Sequence, residues 1–594
     1  MIIHVLFIAL ALYTTPTLSL LKDPCARIAT KPNESHSYDD VKACFLSTPF
    51  NASAAMNTLV TLKDIFKDIY VFTDQSKEPV KEGFDYTPLD ILNVLDTFLD
   101  KKKYITDFEF NKDLRSTIKK LRDGHTEFQP GCYLNDVLFD QQIYLYSIVS
   151  NGKQIIKVFD DTVDGRNVDC EVTHINTKPA LQVVKEFART QLSTSRDLGV
   201  RFNDALASVR WAEITPTSNQ FSVRNELPES ESITYSLKCP NQKPFQLVRK
   251  WNITTNFFLG WSNEKTFQQY CFSTDFVAGS RESKNVVNSP PLTYGEAKQV
   301  YFGAANAYIL GKDLGIIEIG TFSFKRSHDS FGYEYQGAFQ ELVKRKVKKV
   351  VIDFSNNPGG LLKFSIFLGG LIIPSEHFIF PTDLRVPPII QQAIRSESQP
   401  ESDGGFYQAS SRNSFETEKP FTSADQFIGN RNLTRGGTTN RYSALINDQL
   451  PDLLLKIIKD QRTSPIQFPW TNDSIIILTN GHCGSACALV TQFFAEIGQY
   501  RTATVGGFLG QPLSFSSYPG GQILDDGILG DINAPNKFES NKRLTFTIRE
   551  AYSLKNLNEV LEFQYRPSNY RLYYDEQSAR DISLLWKQAA DFLR

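Results

Sequence analysis

Five consecutive residues, Ile475 to Thr479, form an apolar, mostly β-branched run, Ile-Ile-Ile-Leu-Thr. A run of this kind bounded by turn formers predicts a short buried strand. Asn480, Gly481 and Gly484 supply a sharp turn directly after it. Beyond the turn, Ala486, Leu489, Val490, Phe493, Phe494 and Ile497 recur at helical spacing, and Gly498 is a stop. Ser485 therefore sits where a strand hands over to a helix N-terminus. The unpaired backbone N–H groups there favour negative charge. The position suits a nucleophilic serine whose reaction generates an oxyanion. It also suits a serine that merely caps the helix, and the stretch alone does not decide between the two.

At 594 residues the chain exceeds one ordinary core, which implies two to four domains. Its 41% apolar and 22% charged content describes a soluble globular protein. A net charge of -2 gives no electrostatic reason to expect nucleic acid or an anionic membrane as partner. Ile2 to Tyr13 is an apolar run too short to span a bilayer, followed by small residues up to Ser19. That pattern predicts a secretory signal peptide over residues 1–20. No later stretch reaches the roughly 18 apolar residues of a membrane helix, so a secreted product without a membrane anchor is expected. Asn33, Asn51, Asn252, Asn432 and Asn472 head glycosylation sequons. Eight cysteines permit a full disulfide set in an oxidising compartment. The simplest set pairs sequence neighbours, Cys25–Cys44, Cys132–Cys170 and Cys239–Cys271. Cys483 and Cys487, which flank Ser485, form either a disulfide that stiffens the turn or two buried thiols. Without a Cys-x-x-Cys pair or a histidine cluster, neither a metal site nor a cofactor is expected.

Residues 21–128 read as a helical amino-terminal segment, with apolar residues at helical spacing over Ser47–Tyr70 and Leu89–Leu99. The segment ends in Asp123-Gly124-His125-Thr126, where the Asp-Gly turn leaves His125 on the lip of a loop. Residues 129–290 are rich in strand patterns: Val137–Val149, Gln154–Phe159 and Ser232–Leu237. The stretch from Cys170 to Leu181 reads as a strand, an Asn-centred turn and a helix onset, an order similar to a PDZ-like module. Residues 291–594 alternate strands (Leu314–Ile319, Val347–Phe354) with helices (Asp329–Lys344, a helix from Leu361, and Leu450–Ile458), hence α/β. Between about 394 and 441 the composition turns polar, predicting a surface insertion or lid that is partly mobile.

Three elements stand out in order: Asp123 to Thr126, Asp353 to Gly360 (Asp-Phe-Ser-Asn-Asn-Pro-Gly-Gly) and Gly484-Ser485-Ala486. With a PDZ-like segment between the first two, the chain resembles the tail-specific, or carboxy-terminal-processing, serine peptidases, family 41 of the serine peptidases. The nearest branch is typified by the chlamydial protease-like activity factor and its secreted fungal relatives. The resemblance implies an α/β protease core of ClpP/crotonase type, joined to the helical segment and the PDZ-like α+β domain. It implies Ser485 as nucleophile and His125 as base. His482 is a rival base, but a residue in the serine's own tight turn is poorly placed to approach the hydroxyl from across a cleft. The oxyanion hole would be the backbone N–H of Ala486 with that of Gly359 or Gly360, since glycine lets a backbone approach a reacting carbonyl.

Many relatives use a Ser–Lys dyad with the lysine some two dozen residues past the serine. This chain has no lysine between Pro465 and Asn536, which leaves the family's Ser–His–Glu scheme. Leu544 to Tyr552 is a strand pattern containing Glu550, the expected acid, with Glu562 and Asp575 as rivals. The expected activity is a secreted serine endopeptidase acting on protein or peptide through an acyl-enzyme. The alternative is a catalytically silent secreted protein on the same fold that binds peptide tails or apolar ligands. A zymogen, with the polar insertion as a removable segment, is a third expectation. Oligomeric state is not readable.

Overall fold

The computed structural model describes residues 22–593, apart from 33, 208–218, 257–258, 275–293, 324–330, 375–379, 397–406, 448–455 and 457–467. The expected signal peptide, Asn33, and most of the helix expected at Leu450–Ile458 lie outside the described residues.

Ile475–Thr479 forms a strand with the predicted bounds, every residue buried. It is fifth in a seven-stranded sheet ordered Lys298–Tyr301, Asn306–Leu310, Leu314–Glu318, Lys349–Asp353, Ile475–Thr479, Arg501–Val505 and Tyr570–Leu572. From Leu314–Glu318 onward the neighbours run parallel, with Ile352 opposite Ile477 and Ile477 opposite Thr502. The β-branched run is explained by cover on both faces. Ile475 and Ile477 pack among Phe364, Phe367, Leu489 and Phe493, from the helices Leu362–Ile372 and Ala486–Glu496. Ile476 and Leu478 pack on the other side against Leu585 and Trp586 of the helix Ile582–Ala590. Burying each such side chain stabilises the fold by about 1.5–3 kcal/mol, so this strand is a fixed platform for the turn that follows it.

A second sheet joins the two ends of the chain. The strand Glu127–Pro130 pairs antiparallel with Lys542–Ala551, setting Glu127 opposite Thr545 and Pro130 opposite Lys542. Leu544, Phe546 and Ile548 of that strand share a core with Phe66, Tyr70, Phe110 and Leu114 of the amino-terminal helices. The helix Asp107–Ile118 enters through a capping box between Thr106 and Glu109. Extending the pairing by two residues on each strand brings His125 opposite Thr547.

The PDZ-like segment folds as the strands Ile143–Ser150, Lys153–Asp161, Glu171–Ile175, Ser232–Lys238 and Phe245–Lys250 with the helix Ala180–Gln191. Two of its disulfides differ from the neighbour pairing. Cys170 bonds Cys239 and Cys132 bonds Cys271, while Cys25–Cys44 and Cys483–Cys487 form as considered. The reason for the first is strand pairing: Glu171 lies opposite Lys238, so the residues just outside meet across the sheet. The second joins two short helices, Gly131–Leu134 and Glu264–Cys271.

Within the polar insertion, Arg431–Arg435 and Thr438–Tyr442 form a hairpin. Two arginines tie it to the body: Arg431 donates to Asp383, and Arg435 donates to Glu550 at 3.0 Å. These ion pairs attach the hairpin to two buried carboxylates of the body.

Candidate active site

Ser485 has φ 53° and ψ −124°, a left-handed backbone that side chains rarely adopt and that costs on the order of 1–3 kcal/mol. It precedes the helix Ala486–Glu496, yet its side chain makes no capping hydrogen bond. The helix-cap reading is thereby removed: the hydroxyl has no acceptor or donor partner among the described residues. The strained turn is held from three directions. The Gly484 amide donates to the Asn357 carbonyl at 3.0 Å, and the Ser485 amide donates to the Tyr518 carbonyl at 3.1 Å. The Cys483–Cys487 disulfide closes the turn from within.

The Pro358-Gly359-Gly360 turn lies against this elbow. A side chain on Gly359 (φ 97°) would put its Cβ 2.6 Å from the Gly484 carbonyl oxygen, 2.7 Å from the Ser485 Cβ and 3.0 Å from the Ala486 nitrogen. Only glycine permits that approach. The three expected amide donors do not stand alike. The Gly359 amide donates to the Asn357 side-chain oxygen at 2.8 Å. The amides of Ala486 and Gly360 have no acceptor among the described residues.

His125 is buried, and its amide donates to the Asp123 carboxylate at 3.0 Å. Its Nδ1 lies 3.4 Å from the Thr547 hydroxyl and 4.0 Å from Asp123 Oδ1. Burial lowers its pKa below 6.5, against the opposing pull of Asp123, so the imidazole is neutral at pH 7.

His125 and Ser485 are not hydrogen-bonded to each other. They meet opposite parts of Tyr518. Its ring stands edge-on to His125 with centroids 5.2 Å apart, and its hydroxyl donates to the Pro358 carbonyl at 3.3 Å. A Cβ on Gly124 would fall 2.4 Å from the Tyr518 ring, and one on Gly484 would fall 1.8 Å from it. The ring therefore fills the seam between the turns that carry His125 and Ser485.

His482 is also buried. Its Nδ1 pairs with Asp204 at 2.9 Å, and its Nε2 has no partner among the described residues. Burial works against its cation, but the charge and hydrogen bond of Asp204 more than compensate, so its pKa is raised above 6.5.

None of the three expected acids is hydrogen-bonded to His125 among the described residues. Glu550 is fully buried with its carboxylate on Arg435 and the Tyr552 hydroxyl, and no described contact joins it to His125. The residue that does meet His125 on this strand is Thr547, three positions earlier. Glu562 pairs with Arg196 in the interior, and burial lifts its pKa to about 8. Asp575 accepts from the Gln577 and Ser578 amides of its own turn. Tyr518 and Thr547 carry no mark in the sequence that singles them out, and Asp123 was legible only as a turn former. Among the described residues no group of acidic, histidine and cysteine side chains could hold a metal ion.

Residues 313–507 match the model of peptidase family S41, and residues 138–258 match that of the CPAF-like PDZ domain. No curated protein sequence matches the chain. Among solved structures, mature CPAF complexed with lactacystin is similar at 11% identity, covering 91% of this chain and 97% of that chain with a TM-score of 0.55. A crystal structure of mature CPAF is similar at 12% identity, covering 91% and 96% with the same TM-score of 0.55. At these identities the two structures speak to the fold.

Proposed function

We propose that this chain, a serine peptidase that carries a peptidase family S41 domain and a CPAF-like PDZ domain, is a secreted endopeptidase with Ser485 as nucleophile and His125 as base. The observation that carries the reading is Ser485 itself. A serine held in a left-handed conformation, with a hydroxyl that caps nothing, has no structural return for its strain. A similar strained strand-to-helix turn exposes the nucleophile of other serine hydrolases.

In the reaction, His125 Nε2 takes the proton of the Ser485 hydroxyl as the oxygen attacks a peptide carbonyl. The carbonyl oxygen becomes an oxyanion that the Ala486 and Gly360 amides receive, at a helix N-terminus that favours it. His125 then passes its proton to the leaving amine, and water releases the acyl-enzyme by the same route in reverse. Removing one such amide donor costs on the order of 100- to 1,000-fold in rate. The Tyr518 ring must leave the seam for base and nucleophile to meet. Four disulfides support an oxidising destination. The described sequon residues Asn51, Asn432 and Asn472 are exposed, as a glycan requires, and Asn252 is half-buried.

The same Tyr518 ring is the observation that favours the second reading, a catalytically silent binding protein. Incubation of the secreted protein with a denatured protein substrate separates the two. Cleavage by wild type and none by Ser485→Ala is the expected result. Equal cleavage by both, or by neither, overturns the endopeptidase reading.

A further inference from the structure

A serine–histidine pair needs a group that fixes the imidazole tautomer and stabilises its cation. Of the buried carboxylates around the site, Glu550 binds Arg435 and Tyr552 and Glu562 binds Arg196, each through Oε1 with Oε2 lacking a hydrogen-bond partner among the described residues, and Asp204 binds His482. Asp123 is the one whose hydrogen bonds reach both His125 and Thr547. It is 1% exposed and belongs to the same turn as the base. Its Oδ1 accepts the His125 amide at 3.0 Å, and its Oδ2 accepts the hydroxyls of Thr126 and Thr547, each at 2.7 Å. The Thr547 hydroxyl is in turn 3.4 Å from His125 Nδ1.

We propose that Asp123, acting through the hydroxyl of Thr547, is the carboxylate that orients and charges the catalytic base. This rests on the reading of His125 as that base. The directions of the hydrogen bonds follow from valence. An ionised carboxylate only accepts, so the Thr547 hydroxyl must donate to Asp123. Its oxygen is then left as an acceptor, and the group facing it, His125 Nδ1, must carry the proton. Nδ1 protonated means Nε2 bears the lone pair, which is the tautomer that can deprotonate Ser485. When Nε2 takes that proton, the positive charge on the ring is met by Asp123 4.0 Å away in a buried site, where Coulomb attraction is weakly screened. No proton reaches Asp123 itself. The serine proton resides on Nε2 until the leaving amine takes it.

The relay also explains why its parts come from distant sequence. Asp123 and His125 lie just before the strand Glu127–Pro130, and Thr547 lies on Lys542–Ala551, the strand it pairs with. The register that welds the two ends of the chain is the register that completes the base. Asp123 and Thr547 are positioning residues, since neither touches substrate.

The test compares Asp123→Asn, Thr547→Val and Thr547→Ser with wild type, in the secreted full chain. Asp123→Asn should lower kcat by about 100- to 10,000-fold with KM within about threefold. Thr547→Val, nearly the same shape without the hydroxyl, should lower kcat by about 10-fold or more, and Thr547→Ser should restore it. Proton NMR gives a readout that folding alone does not move. Wild type should show a downfield Nδ1 proton assigned to His125, shifted upfield in Thr547→Val and Asp123→Asn. Wild-type His125 carrying its proton on Nε2 instead would overturn the proposal. So would Glu550→Gln lowering kcat as far as Asp123→Asn while Thr547→Val leaves it unchanged. If His125→Ala and Ser485→Ala abolish cleavage but the Asp123 and Thr547 variants do not, only the relay fails. If His125→Ala also cleaves like wild type, the reading of the base itself fails.

Discussion

Two buried histidines face one tyrosine, each beside an aspartate, and they are opposites. His482 bonds Asp204 directly through Nδ1, and its pKa is raised. His125 meets Asp123 through a threonine hydroxyl, and its pKa is lowered by burial. A direct, short ion pair favours the imidazolium, which has no lone pair with which to take a proton. Burial keeps the His125 ring neutral at rest, and Asp123 lies 4.0 Å from it, near enough to meet a charge on the ring. The comparison teaches that a histidine–aspartate contact is not by itself a sign of a base, because the tighter pair here raises the imidazole's pKa. Chain position agrees, since His482 shares the tight turn of Ser485 and His125 comes from the other end of the molecule.

The largest expected effect is on the two histidines. His125→Ala should lower kcat/KM by at least about 1,000-fold with little change in thermal stability. His482→Ala should do the reverse. It leaves Asp204 buried without its ion-pair partner and held, among the described residues, only by the Thr194 hydroxyl, at a cost of about 3–5 kcal/mol, visible as a lower Tm, while turnover of the folded fraction stays within about tenfold. Exchange of these two outcomes would make His482 the base.

The histidines also differ in how they link pH to stability. The folded pKa of His125 is lowered, so the unfolded chain binds more protons and His125 reduces stability as pH falls through 6.5. The folded pKa of His482 is raised, so its contribution is fully present below 6.5 and is lost as pH rises through the folded value. The His125→Ala variant should therefore lose less stability between pH 7 and pH 5 than wild type. His482→Ala should remove a contribution that grows toward acid pH. Thermal melts of both variants across that range check the signs.

A smaller effect is expected from the tyrosine between them. Tyr518 itself has φ 35°, so Tyr518→Gly relieves a left-handed residue and empties the seam. Labelling of Ser485 by a fluorophosphonate should quicken by about tenfold, although truncating a buried ring costs about 3–5 kcal/mol of stability. Slower labelling would mean that the ring supports the site and does not block it. Smallest is the effect of Cys483→Ala with Cys487→Ala. A disulfide across a loop this short restrains the unfolded chain little, so Tm should move by only a few degrees. The elbow it braces should loosen, and kcat should fall by about fivefold.

The turn that carries Ser485 was almost wholly legible because it is local. The strand Ile475–Thr479 and the helix after Ser485 are written in spacing that a dozen neighbouring residues decide. His125 was legible only as part of a motif, since nothing within Asp123 to Thr126 says what they face. Thr547 could not be read at all. It becomes part of the site through the pairing of strands more than 400 positions apart, and Glu550, on the same strand, sits three residues from the point that meets His125. The same blindness to long-range pairing misassigned two disulfides. It also hid the contacts by which Arg431 and Arg435 of the insertion's hairpin reach buried carboxylates. Local chemistry places Ser485 on its turn, and global register brings Asp123, His125 and Thr547 together.

The most direct test is the pH dependence of fluorophosphonate adduct formation at Ser485, mapped by peptide mass spectrometry. The account predicts an adduct on Ser485 whose rate falls on an acid limb below pH 6.5, the limb of a buried histidine whose cation is disfavoured. A limb above pH 6.5 would assign the base to His482, and no adduct on Ser485 at any pH would contradict the account at its centre.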